Sequence, residues 1–287
     1  MGMKNPAFSV ILPCHGMGKY IGAALESVGR QTNRDWEVVA VDDAGPRDGT
    51  EEAVREFARN HPEHRVEWIR HEKNTGVSGA RNTAIAAARG EYLAFLDPDD
   101  WWEAGYLEAV RRALEAKPGT AVVGGPAIYF QENGQEEVVP IPEWQAQAFP
   151  HSLAVNNFLQ PSATVVRREA VQALGGFDTD PELQHIEDYD LWIRLAVAGK
   201  KFVFLPRPWV RYRKHGAAAT GNVRRMEELQ ERLMRKHAAF FAKSQRELIW
   251  GLHARNQFLL DCLRNPWGYV AGKMRKIFGM ENAGRKR

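Results

Sequence analysis

The 287-residue chain is poor in cysteine, holding only Cys14 and Cys262, and it lacks long apolar runs. Two widely separated cysteines provide neither a disulfide framework nor a zinc-ligand spacing, so both are expected to be buried, reduced thiols. No run approaches the roughly 18 to 20 apolar residues that cross a bilayer. The N-terminal AFSVILPC is short, broken by proline and without a signal-peptide cleavage pattern. The expected location is therefore the cytoplasm. Internal repeats and low-complexity segments are also missing. What is present, 44% hydrophobic and 26% charged residues, is ordinary for a globular protein with a large core.

Net charge is only +3, but it is unevenly placed. Residues 222–287 carry 15 Lys and Arg against 6 Asp and Glu, or +9, leaving −6 for residues 1–221. A basic helical tail of this kind can lie on anionic lipid at the inner face of the membrane, meet an acidic partner, or be a solvated helix face. No nucleic-acid partner is expected.

Along the first hundred residues short apolar runs alternate with helical patterns. FSVIL, WEVVAV, VEWI and YLAFL read as strands. Helical stripes through Ile21, Leu25 and Val28, through Ala53, Val54 and Phe57, and through residues 80–88 lie between them. The alternation predicts an α/β fold of right-handed βαβ units with a mainly parallel sheet covered on both faces. In the second half, AVVGG, IYF, EVVPI and FVFL are predicted strands. Residues 162–169 are expected to run from strand into helix, 140–161 to form a loop, and 186–199 to be helical. From 222 onward Met226, Leu229, Leu233, His237, Phe240, Phe241 and Leu248 recur at helical spacing, predicting a C-terminal helical extension.

Ligands of open sheets bind beyond the carboxyl ends of the strands. Those ends are Pro13, Cys14 and His15 after the first strand, Asp42 and Asp43 after the second, and Asp97, Asp99 and Asp100 in FLDPDDWW after the fourth. Three carboxylates this close repel one another unless a positive charge sits among them. Asp97-x-Asp99 offers hard oxygen ligands, too few for a calcium cage but suited to Mg²⁺ or Mn²⁺ completed by water and phosphate. The plain alternative is that these acids only begin a helix, where the dipole favours them. Gly16, Gly18 and Gly22 with Asp42 form a displaced dinucleotide-type pattern. VDDAGPRDGT is also consistent with an Asx-type turn and a helix N-cap near Asp48 or Thr50. In IEDYDLW, Glu187 and Asp188 stand at a helix start as base candidates, with Asp190 and Arg194 as a surface pair. RYRKHG, holding Arg211 and His215, reads as a loop able to grip a diphosphate, with His215 as a metal ligand, or as solvated surface.

Taken in order, SVILPCHG, the Gln31–Val38 stretch QTNRDWEV, VDDAGPRDGT, NTGVSGARNTAI, EYLAFLDPDDWW, GGFD and EDYDLWIRL resemble the family 2 glycosyltransferases across roughly residues 7–216. The resemblance implies a GT-A type, Rossmann-like fold: a catalytic domain over 1–221, with a nucleotide-binding half at 7–118 and an acceptor-side half at 119–221, followed by the extension at 222–287. It further implies transfer of one sugar from a nucleotide-diphosphate sugar, usually a UDP-sugar, to a glycan or lipid-linked acceptor hydroxyl with inversion. Carried over residue by residue, Pro13, His15, Asp42, Asp43, Asn74, Gly76, Arg81, Asp97 and Arg211 bind the donor. Asp99 and His215 hold Mn²⁺ or Mg²⁺, Asp188 is the general base, and Asp100, Trp101 and Glu187 lie toward the acceptor. His15 stands where many relatives have tyrosine. The missing Q-x-x-R-W motif and membrane helices argue against the processive, cellulose-synthase-like branch. The resemblance does not reach the tail. A nucleotidyltransferase of related fold is the enzyme alternative, disfavoured because no Gly-rich, lysine-containing triphosphate loop follows the first strand. A non-catalytic glycan- or partner-binding protein is the other.

Overall fold

A computed structural model describes residues 6–214 and 223–264. In chain order the elements are β1 (Phe8–Cys14), α1 (Ile21–Gly29), β2 (Trp36–Asp42), α2 (Thr50–Asn60), β3 (Val66–Arg70), α3 (Gly76–Ala87), β4 (Tyr92–Phe95), β5 (Trp101–Trp102), α4 (Tyr106–Ala116) and β6 (Thr120–Gly124). They continue with β7 (Ala127–Phe130), β8 (Glu136–Val139), α5 (Glu143–Gln147), β9 (Thr164–Arg167), α6 (Arg168–Gln172), α7 (Glu187–Val197), β10 (Lys201–Phe204), β11 (Val210–Arg213), α8 (Val223–Lys236) and α9 (Ala238–Arg264). A seven-stranded sheet runs β10-β6-β9-β4-β1-β2-β3, and a four-stranded sheet runs β5-β11-β7-β8. In the larger sheet only β9 is antiparallel to its neighbours β4 and β6.

Strands β1 and β2 are buried at every residue, as a parallel sheet covered on both faces demands. Their side chains alternate between two cores. Ile11, Val39, Val41, Leu93 and Phe95 face α3 and α7, where Ala84, Ile85, Leu191 and Trp192 cover them. Val10, Leu12, Val38, Ala40 and Ala94 face α1, α2 and α4 through Ile21, Leu25, Val54, Leu107 and Val110. All strands of the first half therefore end at one rim.

Three expectations change. The 140–161 stretch contains α5 and a 3-10 turn at His151–Ala154. The RYR of RYRKHG is a strand, because β11 pairs with both β5 and β7, and Lys214 follows it; His215 and Gly216 lie outside the described residues. Asp190 is no surface residue: it is fully buried and binds Arg194 at 2.7 Å, Lys236 at 2.7 Å and His237 at 2.8 Å. The periodicity showed its partner one turn away but not the two from the C-terminal helices. Leu229, Leu233 and Phe241 join the same core as α7, and burying each leucine contributes about 1.5–3 kcal/mol. Further out, α9 leaves the body, and Ile249, Trp250 and Leu252 are exposed.

Burial opposes the Asp190 charge, yet His237, Lys236 and Arg194 outweigh it and hold the carboxyl well below the usual carboxylate range. A depressed folded-state value stabilises the fold fully above the ordinary carboxylate value, near pH 4, and the contribution is lost as pH falls below that toward the depressed value. Asp190→Asn is therefore expected to lose about 3 kcal/mol at pH 7, by leaving cations without their counter-charge. Urea unfolding midpoints at pH 7 and pH 2 check this: the deficit shrinks at the lower pH, and an equal deficit at both would contradict it.

Candidate active site

A cavity of about 1020 Å³ opens at the carboxyl ends of β1, β2 and β4. One flank is formed by Pro13, His15, Asp43, Asn74, Gly76 and Asp97, and the other by the 156–161 segment, the start of α7 and α8. Of the sequence-predicted residues, Pro13, His15, Asp43, Asn74, Gly76, Arg81, Asp97, Asp99, Glu187 and Asp188 meet there.

The first flank is built around Asp43. Its carboxylate accepts hydrogen bonds from the Thr75 N–H and hydroxyl, both at 2.8 Å, and pairs with His71 Nδ1 at 2.7 Å. His71 is held in turn by Thr83 at 2.9 Å. Burial raises the Asp43 pKa, but the bonds from His71 and Thr75 outweigh it, so the carboxyl lies below its ordinary value. His15 Nδ1 and Asn74 approach the Asp43 carbonyl at 3.0 and 3.3 Å, which ties the ends of β1 and β2 to the entry of α3. His71 was missed in the sequence because a lone histidine after a strand carries no spacing signal.

The paired acid Asp42 turns away from the cavity. It pairs with Arg70, accepts from the Gly45 N–H at 2.9 Å and so closes the loop after β2. The glycine pattern also belongs to loop packing. Asp48 accepts from the Gly18 N–H at 2.8 Å, and a Cβ on Gly18 would lie 1.9 Å from the Asp48 carbonyl oxygen. Asp48 further accepts from the Thr50 N–H at 3.2 Å, as the Asx-turn reading expected, and from the Thr50 hydroxyl at 2.6 Å. A phosphate-cradling role for these glycines is thereby displaced. Cys14 is buried as expected, and burial pushes its thiol pKa up, leaving it inert; the Cys262 side chain lies outside the described residues.

The three acids of FLDPDDWW separate. Asp97 pairs with Arg81 at 2.9 Å. Asp100 is buried beneath the cavity, where it accepts from Ser162 at 2.6 Å and from the Arg213 N–H at 2.8 Å. Burial, then Asp99 and Asp97, push its pKa up. Asp99 lines the cavity, and its carbonyl accepts from Arg213 Nε at 3.2 Å. Asp100 and Trp101 therefore do not form an acceptor wall: the first anchors β11, and the second packs on Phe130 with ring centroids 4.2 Å apart. Arg211 likewise faces away, toward Glu103 at 2.8 Å and Glu136 at 2.5 Å, while its neighbours Arg213 and Lys214 line the cavity. Arg211 and Arg213 share a face of β11, being two residues apart, and their positions along the strand separate them: Arg213 and Lys214, at its C-terminal end, reach the cavity.

Arg81 is the buried cation of the site. Its guanidinium binds Asp97 and, at 2.7 Å, Glu187, so it is engaged by carboxylates instead of being open to phosphate. Burial opposes its charge, but Asp97 and Glu187 outweigh that and keep it ionised. Beside this pair, Asp188 accepts from Asn157 at 2.9 Å and from the Tyr189 N–H at 2.7 Å. Burial, then Glu187, push Asp188 up to about 7, against the opposing pull of Arg81. A carboxylate that is half-ionised near neutral pH, inside a cavity, is suited to take a proton. Asn157 was also missed, since an asparagine in an aperiodic stretch gives no warning of a partner 31 residues away.

The sequence matches glycosyl transferase family 2 over residues 9–175. The chain belongs to that family. It is 26% identical to EpsH of Bacillus subtilis over 98% of this chain and 83% of that protein. It is 27% identical to the amylovoran biosynthesis glycosyltransferase AmsB of Erwinia amylovora, over 73% of this chain and 70% of AmsB. Among solved structures, the mannosyltransferase PcManGT of Pyrobaculum calidifontis, in complex with GDP-Man and Mn²⁺, superposes with TM-score 0.60 at 20% identity, covering 97% of this chain and 89% of that one. The S. aureus TarS fragment in complex with UDP-GlcNAc does so with TM-score 0.62 at 21% identity, over 75% and 60% of the two chains. The fold is GT-A.

Proposed function

We propose that this glycosyltransferase moves one sugar from a nucleotide-diphosphate sugar, a UDP-sugar, to an acceptor hydroxyl with inversion, in the synthesis of a surface polysaccharide or glycolipid. The observation that carries this reading is Asp188, a buried carboxylate in the cavity with a pKa of about 7, across from the strand ends that carry Asp43 and Asp97. The nucleotide-sugar complexes of the two structural neighbours support a donor of that class. The biosynthetic role of AmsB supports the product class.

In this reading Asp43, held by His71 and Thr75, meets the nucleobase, with Pro13, His15, Asn74 and Gly76 around it. Asp97 lies on the ribose side, and Arg213 and Lys214 face the diphosphate in place of Arg211. Asp188 takes the proton of the acceptor hydroxyl as that oxygen attacks the anomeric carbon and the nucleoside diphosphate departs. A single base opposite the leaving group gives inversion, with no second carboxylate nucleophile.

Asp99 would hold the divalent cation. Among the described residues no group of three or more His, Cys, Asp or Glu side chains could hold an ion. A hard carboxylate oxygen completed by diphosphate and water oxygens fits Mn²⁺ or Mg²⁺. When bound, the cation neutralises charge on the leaving diphosphate.

No helix among the described residues is long and apolar enough to cross a membrane. Exposed Ile249, Trp250 and Leu252 on α9, within a segment of net charge +9, support peripheral seating on anionic lipid.

Asp188→Asn is expected to keep UDP affinity but lose at least about 100-fold in transfer, the lower range for a general base. The base acts only when ionised, so wild-type transfer should rise from pH 5 to 8 with a midpoint near 7. Asn157→Ala should move that midpoint upward by removing a donor to the carboxylate. An active Asp188→Asn enzyme would remove the base assignment. Asp99→Ala should abolish the gain in UDP affinity that Mn²⁺ gives, measured by calorimetry with and without the ion; an equal gain in both proteins contradicts the ligand assignment. In vesicle co-sedimentation, Ile249→Glu with Trp250→Glu should release the protein from phosphatidylglycerol-containing vesicles but leave donor turnover intact. Unchanged sedimentation would discard the lipid contact.

A further inference from the structure

The two flanks of the cavity differ chemically. The strand-end flank carries ionisable groups: His15, Asp43, Asp97 and Asp99, with Arg81 at its floor. The flank nearest Asp188 is richer in side-chain amides, with His185 among them: Asn156, Asn157 and Gln160 before β9, Gln184 before α7, and Gln230 on α8, with Met226 one turn before Gln230. Three of these amides are already engaged by protein. Asn157 holds Asp188, Gln160 donates to the Tyr129 hydroxyl at 2.8 Å, and Asn156 accepts from Gln145 at 2.6 Å. The side chains of Gln184 and Gln230 make no hydrogen bond with the described residues.

The helix bringing Met226 and Gln230 to this position is firmly held. Arg232 pairs with Glu182, Lys236 with Asp178 at 2.5 Å and with Asp190 at 2.7 Å, and Leu229 and Leu233 are fully buried. Residues 226 and 230 share one helix face by their i, i+4 spacing. That face looks into the cavity beside the base.

We infer that this flank is the acceptor subsite and that it takes the neutral, hydroxyl-rich end of a saccharide, with α8 as its wall. The inference rests on the transferase reading above and deepens it. An acceptor hydroxyl must reach Asp188, so the rest of the acceptor lies against the groups around that residue. Each free amide offers two N–H donors and a carbonyl acceptor, which matches the paired donor and acceptor character of sugar hydroxyls. It supplies no charge for a phosphate or carboxylate, and the Glu187 and Asp188 carboxyls nearby repel an anion. Met226 gives the C–H face of a pyranose ring an apolar, adaptable contact. The family match stops at residue 175, so this wall belongs to the part of the chain beyond it.

The test uses the full chain with saturating UDP and Mg²⁺, and saturation-transfer NMR on two probe sets. The neutral set is the methyl glycosides of glucose, galactose and N-acetylglucosamine; the anionic set is methyl glucuronide and glucose 6-phosphate. The expected result is binding of at least one neutral glycoside and of neither anion. Gln230→Ala and Met226→Ala should each weaken that glycoside about tenfold, equivalent to about 1.4 kcal/mol. Gln230 is exposed and Met226 only half-buried, so both variants should fold, with circular dichroism as the control. Binding of an anion as tight as the best neutral probe, no neutral binding at all, or neutral binding unchanged in both variants would each overturn the inference. Calorimetric UDP affinity separates the two levels of the argument. A wild type that binds no UDP strikes the transferase reading itself, whereas normal UDP binding with failed glycoside results strikes the acceptor subsite alone.

Discussion

Arg81 joins the two halves of this site. Its buried guanidinium ties Asp97, at the exit of β4, to Glu187, at the first turn of α7. The sheet that carries Asp43 and Asp97 and the helix that carries Asp188 are thus fixed to each other by one cation. Glu187 raises the Asp188 pKa, and the same guanidinium opposes that rise. Arg81 can do this because α3 begins at Gly76, whose φ of 78° allows the sharp entry from the Asn74–Thr75 turn. The turn is itself secured through Thr75 to Asp43. The strand-end flank, the Arg81 salt bridges and the first turn of α7 are therefore one mechanical unit.

The crowding of acids in FLDPDDWW has the same logic. A cation was expected to relieve the repulsion, and for two of the three acids the protein supplies its own relief. Asp97 has Arg81, and Asp100 is sunk onto Ser162 and a backbone N–H with its pKa raised. The Ser162 hydroxyl oxygen also accepts from the Asp97 N–H at 3.0 Å, so one hydroxyl links two positions of the loop. Asp99 lines the cavity wall, and its carbonyl accepts from Arg213 Nε at 3.2 Å.

The strands of the larger sheet were legible because apolar runs separated by helical stripes admit few arrangements, whereas β5 and β11 of the smaller sheet carry no such run and were not. Strand-end residues were legible for the same reason: a parallel sheet collects its C-terminal ends at one rim. Side-chain direction was not. Asp42 and Asp43, or Arg211 and Arg213, are equivalent in a pattern of residue types, yet only Asp43 and Arg213 line the cavity, the first pair divided by the direction of adjacent side chains and the second by position along β11. Partners distant in sequence were equally hidden, as with Asn157 for Asp188 and His237 for Asp190. The α8 wall was hidden twice over, since its contribution depends on docking that no local signal encodes.

Asp188 and Asp190 show how far environment can separate identical side chains on one helix turn. Two residues apart on α7, they point to different sides. Asp188 faces the cavity, where burial and Glu187 oppose its charge and a neutral amide is its side-chain partner. Asp190 faces the C-terminal helices, where Arg194, Lys236 and His237 converge on a carboxylate of zero exposure. The first is poised to exchange a proton near pH 7, and the second is held ionised far below it. A raised folded-state pKa makes Asp188 a liability to stability once it ionises, whereas the depressed value of Asp190 is a contribution over the same pH range. The opposing signs place a stabilising acid and a destabilising one in one helix turn. The helix that keeps Asp188 buried is thus anchored by α8, the element that also lines the cavity beside it.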